Sequence, residues 1–243
     1  MTDNSANNKR IAKNTLFLYT RMYIRMLFTM VISLYTSRVI LQVLGADDFG
    51  IYNVVGGVVV LFSFLTNAMT SSTQRFLNYN LGLKNESKVS HIFNVSILTH
   101  FTIFLLVLLL SETVGLWFVM TQLNIPVGRE TATMWVYQMS VVTTLIGIMV
   151  IPYRASIIAA ERMSIFAYVS ILEVALKLVV VLVLSYMSFD NLVMYSILLT
   201  LVALLNFFIY QIECRRKLSF TKYHFVWDKS QYKEMMSFSS WYL

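Results

Sequence analysis

The chain has 243 residues, 58% of them hydrophobic and only 13% charged. Soluble domains carry roughly 25% charged residues, so an ordinary soluble globular protein is excluded. The net charge of +7 sits in segments that flank apolar runs, so membrane topology accounts for it and a nucleic-acid partner is not required.

In chain order, Lys9, Arg10 and Lys13 lead into a first predicted helix at 15–43, interrupted by Arg21, Arg25 and Arg38. Arginines within the span and the lack of a short apolar core argue for an uncleaved anchor rather than a signal peptide. Four later runs hold no Asp, Glu, Lys or Arg: 49–74, 89–111, 131–153 and 191–212. Each exceeds the ~20 apolar residues that cross a bilayer as a helix. Tolerating sparse charges gives six transmembrane helices, at about 15–43, 50–75, 90–115, 131–154, 164–187 and 191–213. The expected fold is an all-α integral membrane protein whose six-helix unit occupies 1–214. Two prolines and the lack of long alternating segments argue against a β-barrel. The single cysteine, Cys214, excludes an intramolecular disulfide framework.

Helix one carries Arg21, Arg25, Thr29, Ser33 and Thr36 at three-to-four residue spacing, a polar stripe about 120° wide. Such a stripe suits a water-filled cavity, while Leu27, Met30, Val31, Leu34 and Ile40 meet lipid or neighbours. Snorkelling of arginines to the surface is the competing reading; it accounts for Arg21 and not for the hydroxyls beyond. Gly45 suits a helix C-terminus, and Asp47 or Asp48 the next N-cap. Helix two repeats the polar pattern more weakly with Ser63, Thr66, Asn67, Thr70 and Gln74, where hydrogen bonding between helices explains it equally well.

An ionisable side chain inside a span costs ~2.5–3.5 kcal/mol on insertion scales, which makes it a functional candidate. Glu173 and Lys177, spaced i, i+4 near the middle of helix five, either neutralise each other or line a cavity, and the two readings are compatible. After helix six, 215–234 is a basic, aromatic linker suited to the cytoplasmic interface, and 235–243 reads as the opening of a seventh helix. On this basis the chain is expected to be about the first half of a longer protein. A short interfacial helix closing a six-helix protein is the alternative.

With the N-terminus inside, fourteen Lys and Arg residues fall in cytoplasmic segments and only Arg129 outside. Asn85-Glu-Ser and Asn94-Val-Ser match the glycosylation pattern but fall on the cytoplasmic side. The three histidines show no metal-ligand spacing, and P-loop, G-x-S-x-G and dinucleotide fingerprints are all missing. Neither an enzyme nor a metal or cofactor is expected.

Three segments carry a family resemblance: Leu44-Gly-Ala-Asp-Asp-Phe-Gly-Ile-Tyr-Asn-Val-Val-Gly-Gly57, Arg75-Phe-Leu-Asn-Tyr-Asn-Leu-Gly82, and Pro152-Tyr-Arg-Ala155 followed by Ala159-Ala-Glu-Arg-Met163. The first looks like the helix-one/helix-two junction of bacterial polysaccharide flippases, the Wzx-type O-antigen translocases. These belong to the MOP superfamily, with the MATE drug exporters and lipid II flippases. The resemblance implies two lobes around a central cavity, the first of them present here. It implies alternating-access transport of undecaprenyl-diphosphate-linked oligosaccharide across the bacterial inner membrane, for cell-surface polysaccharide. Arg21 and Arg25 would then attract the diphosphate, guanidinium groups being suited to bidentate contact. Thr29, Ser33 and Asn67 would meet the sugars, and Glu173 and Lys177 would tune the lobe interface or couple to an ion. The implied partners are the lipid-linked oligosaccharide, membrane lipids, and glycan polymerase or assembly proteins. Two alternatives stand beside it: a cation-coupled MATE-like exporter of small molecules, for which only Glu173 offers a cavity acid, and a non-transporting scaffold for glycan assembly.

Overall fold

The computed structural model describes the backbone of residues 2–61, 64–187, 189–224 and 228–241, and side chains for Tyr23, 25–61, 69–187, 189–224 and 228–237. Among these residues the chain is all α, with no strand. Helix α1 (Thr2–Val60) consists of two helical arms meeting at Gly45, whose φ of 79° and ψ of 172° lie where only glycine is comfortable. Neither proline nor glycine precedes Gly45, so the first arm runs unbroken from Thr2, well ahead of residue 15. Helix α2 (Phe64–Gly82) follows, then α3 (Glu86–Leu110), a π-turn at Ser111–Gly115 and the short α4 (Leu116–Gln122). Helices α5 (Glu130–Ala159), α6 (Met163–Leu184) and α7 (Asn191–Lys217) complete the bundle, and α8 (Lys229–Trp241) lies against α2 and α3.

Among the described residues, five helices are long and apolar enough to cross a membrane: Arg25–Val60, Glu86–Gln122, Glu130–Ala159, Met163–Leu184 and Asn191–Lys217. The chain is thus built as a multi-pass membrane protein. Helix α2 is not among the five, because Asn, Ser, Thr and Gln interrupt its apolar residues.

Two buried clusters stack along the bundle. One, with Val59, Val107, Val136 and Leu192, fills the part toward the connections at Asp48, Arg129 and Asp190. The other, with Leu77, Phe93, Ile157 and Cys214, fills the part toward the tail. At the first end Arg129 is ion-paired with both Asp48 and Asp190. Asp190 also caps α7, accepting from the Leu192 and Val193 amides at 3.0 and 3.3 Å. One arginine therefore holds together the Gly45 junction, the approach to α5 and the turn into α7.

At the other end the tail is pinned to α3. The Asn94 side chain accepts from the His224 amide at 2.8 Å. His91 Nε2 contacts Asp228 at 2.9 Å, and Asp228 caps α8 through the Ser230 and Gln231 amides. Those bonds, the Gln231 amide first and His91 next, hold the Asp228 carboxyl below its ordinary pKa. From there α8 runs back along the bundle, where the Ser72 hydroxyl donates to the Met235 carbonyl at 3.3 Å and Met235 is fully buried.

The π-turn has a specific packing requirement. The buried Tyr137 hydroxyl donates to the Ser111 carbonyl and occupies the space a side chain at Gly115 would need. Gly115→Ala is expected to destabilise the fold by about 1–3 kcal/mol through overpacking. Adding Tyr137→Phe removes the clashing hydroxyl and should return part of the loss. An unchanged thermal midpoint for Gly115→Ala alone would show that the close approach is not a constraint.

Candidate functional site

The site assembles on one face of α6. Phe166, Ser170, Glu173 and Lys177 recur every three to four residues and so share a stripe. The opposite face presents exposed Tyr168, Leu172 and Val179, as suits contact with lipid. Glu173 lies ten residues past Met163, about 15 Å along a helix of roughly 33 Å. That depth places the pair near the middle of the apolar span.

Arg25 reaches this stripe from the first arm of α1. Its Nη1 donates to Ser170 Oγ at 3.2 Å, and the guanidinium sits 4.7 Å from the centre of the Phe166 ring, in cation–π range. The Ser170 hydroxyl donates in turn to the Phe166 carbonyl at 2.7 Å, which fixes it as an acceptor toward Arg25. Arg25 Nε is enclosed and has no hydrogen-bond partner among the described residues. A buried guanidinium N–H left unsatisfied is costly unless something accepts from it.

Glu173 completes the stripe. Lys177 Nζ lies 2.7 Å from its Oε1, and the Asn206 amide of α7 donates to Oε2 at 2.7 Å. Both carboxylate oxygens are therefore engaged, while Lys177 stays 45% exposed at its side chain. An ammonium at this depth calls for water or polar protein beside it, since hydrocarbon would not solvate it. Tyr210 of α7 hydrogen-bonds Ser170 and lies within electrostatic reach of Arg25, Glu173 and Arg154. The result is a seam between α1, α6 and α7 with a fixed cation, a tethered ion pair and, among the described residues, one enclosed N–H without an acceptor. Its chemistry is recognition of charge and hydrogen-bonding groups; among the described residues no three His, Cys, Asp or Glu side chains gather to hold a metal.

The seam thus brings together Arg25, Glu173 and Lys177 of the sequence-predicted residues. Thr29 is half-buried on the same face of α1 and donates to the Met26 carbonyl at 2.9 Å. Ser33 is exposed, whereas Ile32 and Thr36 are half-buried. The side chains of Arg21 and Asn67 lie outside the described residues. Sequence reasoning missed Phe166, Ser170, Asn206 and Tyr210. Ser170 had a signal, since it lies one turn before Glu173 on the same face, and so had Asn206, an amide amid an apolar run.

A second polar feature is a small cavity of about 120 Å³ between α1, α5 and α7, lined by Tyr52, Ser140, Thr143, Thr144 and Ser196. Among its hydroxyls, Thr143 meets Thr200 of α7 at 2.9 Å and Ser196 donates to the Val193 carbonyl at 2.7 Å, and no charged group lines it. Compared with protein-family models, curated proteins and solved structures, the chain matches none of them.

Proposed function

We propose that this chain forms a lobe of a transporter that moves lipid-linked, diphosphate-bearing oligosaccharide across the bacterial inner membrane. In this reading the membrane is crossed six times, the chain reverses at Gly45, and the Arg129 end faces outward. The excess of Lys and Arg at the tail end supports that orientation. The Gly45 dihedrals support the reversal, as does the Asn191 side chain, which donates to the Val43 carbonyl at 3.4 Å while Asp48 pairs with Arg129 nearby.

The observation that carries the reading is Arg25. A guanidinium 4.7 Å from the Phe166 ring centre and tied by Nη1 to Ser170 sets a fixed cation in the seam, and an anion would meet it along a guanidinium edge. A diphosphate offers the paired oxygens such an edge binds best. Hydroxyls and the Asn206 amide nearby suit sugars, and the three motif segments that resemble Wzx-type flippases agree with the same cargo.

The test is binding. Purified chain in detergent is titrated with undecaprenyl-diphosphate oligosaccharide, with undecaprenol as the uncharged control. Preferential binding of the diphosphate form, competed by inorganic pyrophosphate, is the expected result. Equal binding of the two lipids would remove the basis of the proposal.

A further inference from the structure

A separate site lies at the tail end of the bundle. A hollow of about 1010 Å³ opens where α2 and α5 end, α3 and α6 begin and α7 gives way to the tail. Its floor is apolar, with Val89 and Leu218 buried. Its rim is charged and of both signs: Lys84, Arg162 and Lys217 against Glu86 and Glu161. Lys217 pairs with Glu213 at 2.8 Å, whereas the other four form no ion pair among the described residues.

Two of these residues sit in a conformation that side chains avoid. Lys84 and Glu161, with φ of 52° and 57°, are the only non-glycine residues of positive φ among those described. Each ends a helix in the same way. The Lys84 and Asn85 amides return to the Leu81 and Asn80 carbonyls, and the Glu161 and Arg162 amides to those of Ile158 and Ile157. That is the Schellman arrangement, whose left-handed position is ordinarily glycine. Here two helix ends place a lysine and a glutamate there instead, both on the rim of one hollow. Strain retained at two such positions is a mark of function.

We propose that this hollow binds a zwitterionic aminophospholipid from the leaflet at the tail end. The phosphate is met by Lys84, Arg162 and Lys217, the primary ammonium by Glu161 and Glu86, and the acyl chains lie on the apolar floor. An anionic headgroup leaves the two carboxylates unmatched, and a quaternary ammonium cannot donate to them. The lipid is therefore phosphatidylethanolamine in chemistry, ahead of phosphatidylglycerol or phosphatidylcholine.

The experiment is native mass spectrometry of the full chain, purified and mixed with equal amounts of those three phospholipids. The ethanolamine lipid should be retained over both others. Glu161→Gly should cut that preference roughly tenfold, as loss of a charge-assisted hydrogen bond implies. Lys84→Gly should weaken retention of all three. Glycine relieves the strain at both positions, so both variants should melt at higher temperature than the parent, which separates lost binding from lost folding. Equal retention of the three lipids by the parent, or a preference unchanged in Glu161→Gly, would overturn the proposal. The outcome is independent of whether Arg25 binds a diphosphate.

Discussion

Arg25→Ala is expected to lose binding of a diphosphate-bearing lipid by roughly 10- to 100-fold, the worth of a hydrogen bond to a charged group at about 1.5–3 kcal/mol. Transport in vesicles or in cells should fall with it. Insertion and stability should change little, because among the described residues the guanidinium has one hydrogen bond and one ring contact. Arg25→Lys sharpens the test. It keeps the charge but cannot present two parallel N–H groups, so an intermediate loss is expected. If Arg25→Ala bound the diphosphate lipid as the parent does while remaining folded, the arginine would be a packing residue. A scaffold role for the chain would then be the better account.

Arg129→Ala should give the largest loss of stability. Asp48 is only 8% exposed at its side chain, and Arg129 is its counter-ion. Stripping the partner from a buried pair costs about 3–5 kcal/mol. Arg129 is 36% exposed, and solvent screening lowers the expected loss to about 2–3 kcal/mol. For a chain of this length that corresponds to a fall of roughly 5–10 °C in the thermal midpoint. Asp48→Asn in the same background should restore part of it, since an amide is cheaper to bury than an unpaired carboxylate. A shift below about 2 °C in the single variant would mean the arginine contributes no more than an ordinary surface pair.

The bilayer-scale features were legible in the chain because they depend on composition alone. Three of the four charge-free runs, 89–111, 131–153 and 191–212, lie within long apolar helices, and Gly45 marked the first junction because its φ demands glycine. The start of α1 at Thr2 left no signal, because residues 2–14 carry no long apolar run. The π-turn at Ser111–Gly115 was equally silent, since a shift in backbone hydrogen bonding needs no particular residue except the glycine that admits Tyr137. The polar stripe of helix one was readable as a periodicity. Its partner was not, because the contact of Arg25 with Ser170 joins residues 145 positions apart. For the same reason Asn94, read within a glycosylation pattern, turned out to anchor the tail through the His224 amide.

The polarity of α2 bears on how the protein is built. Ser72 and Thr73 are fully buried, and their hydroxyls bond to Met235 of α8 and Ser96 of α3. A helix of this composition gains little from hydrocarbon and much from neighbours that accept its hydrogen bonds. During synthesis α2 emerges before α3, α5 and α8 exist to receive it. It must therefore remain beside the translocon or in water until they arrive, and its final placement is a step of assembly rather than of partitioning into lipid.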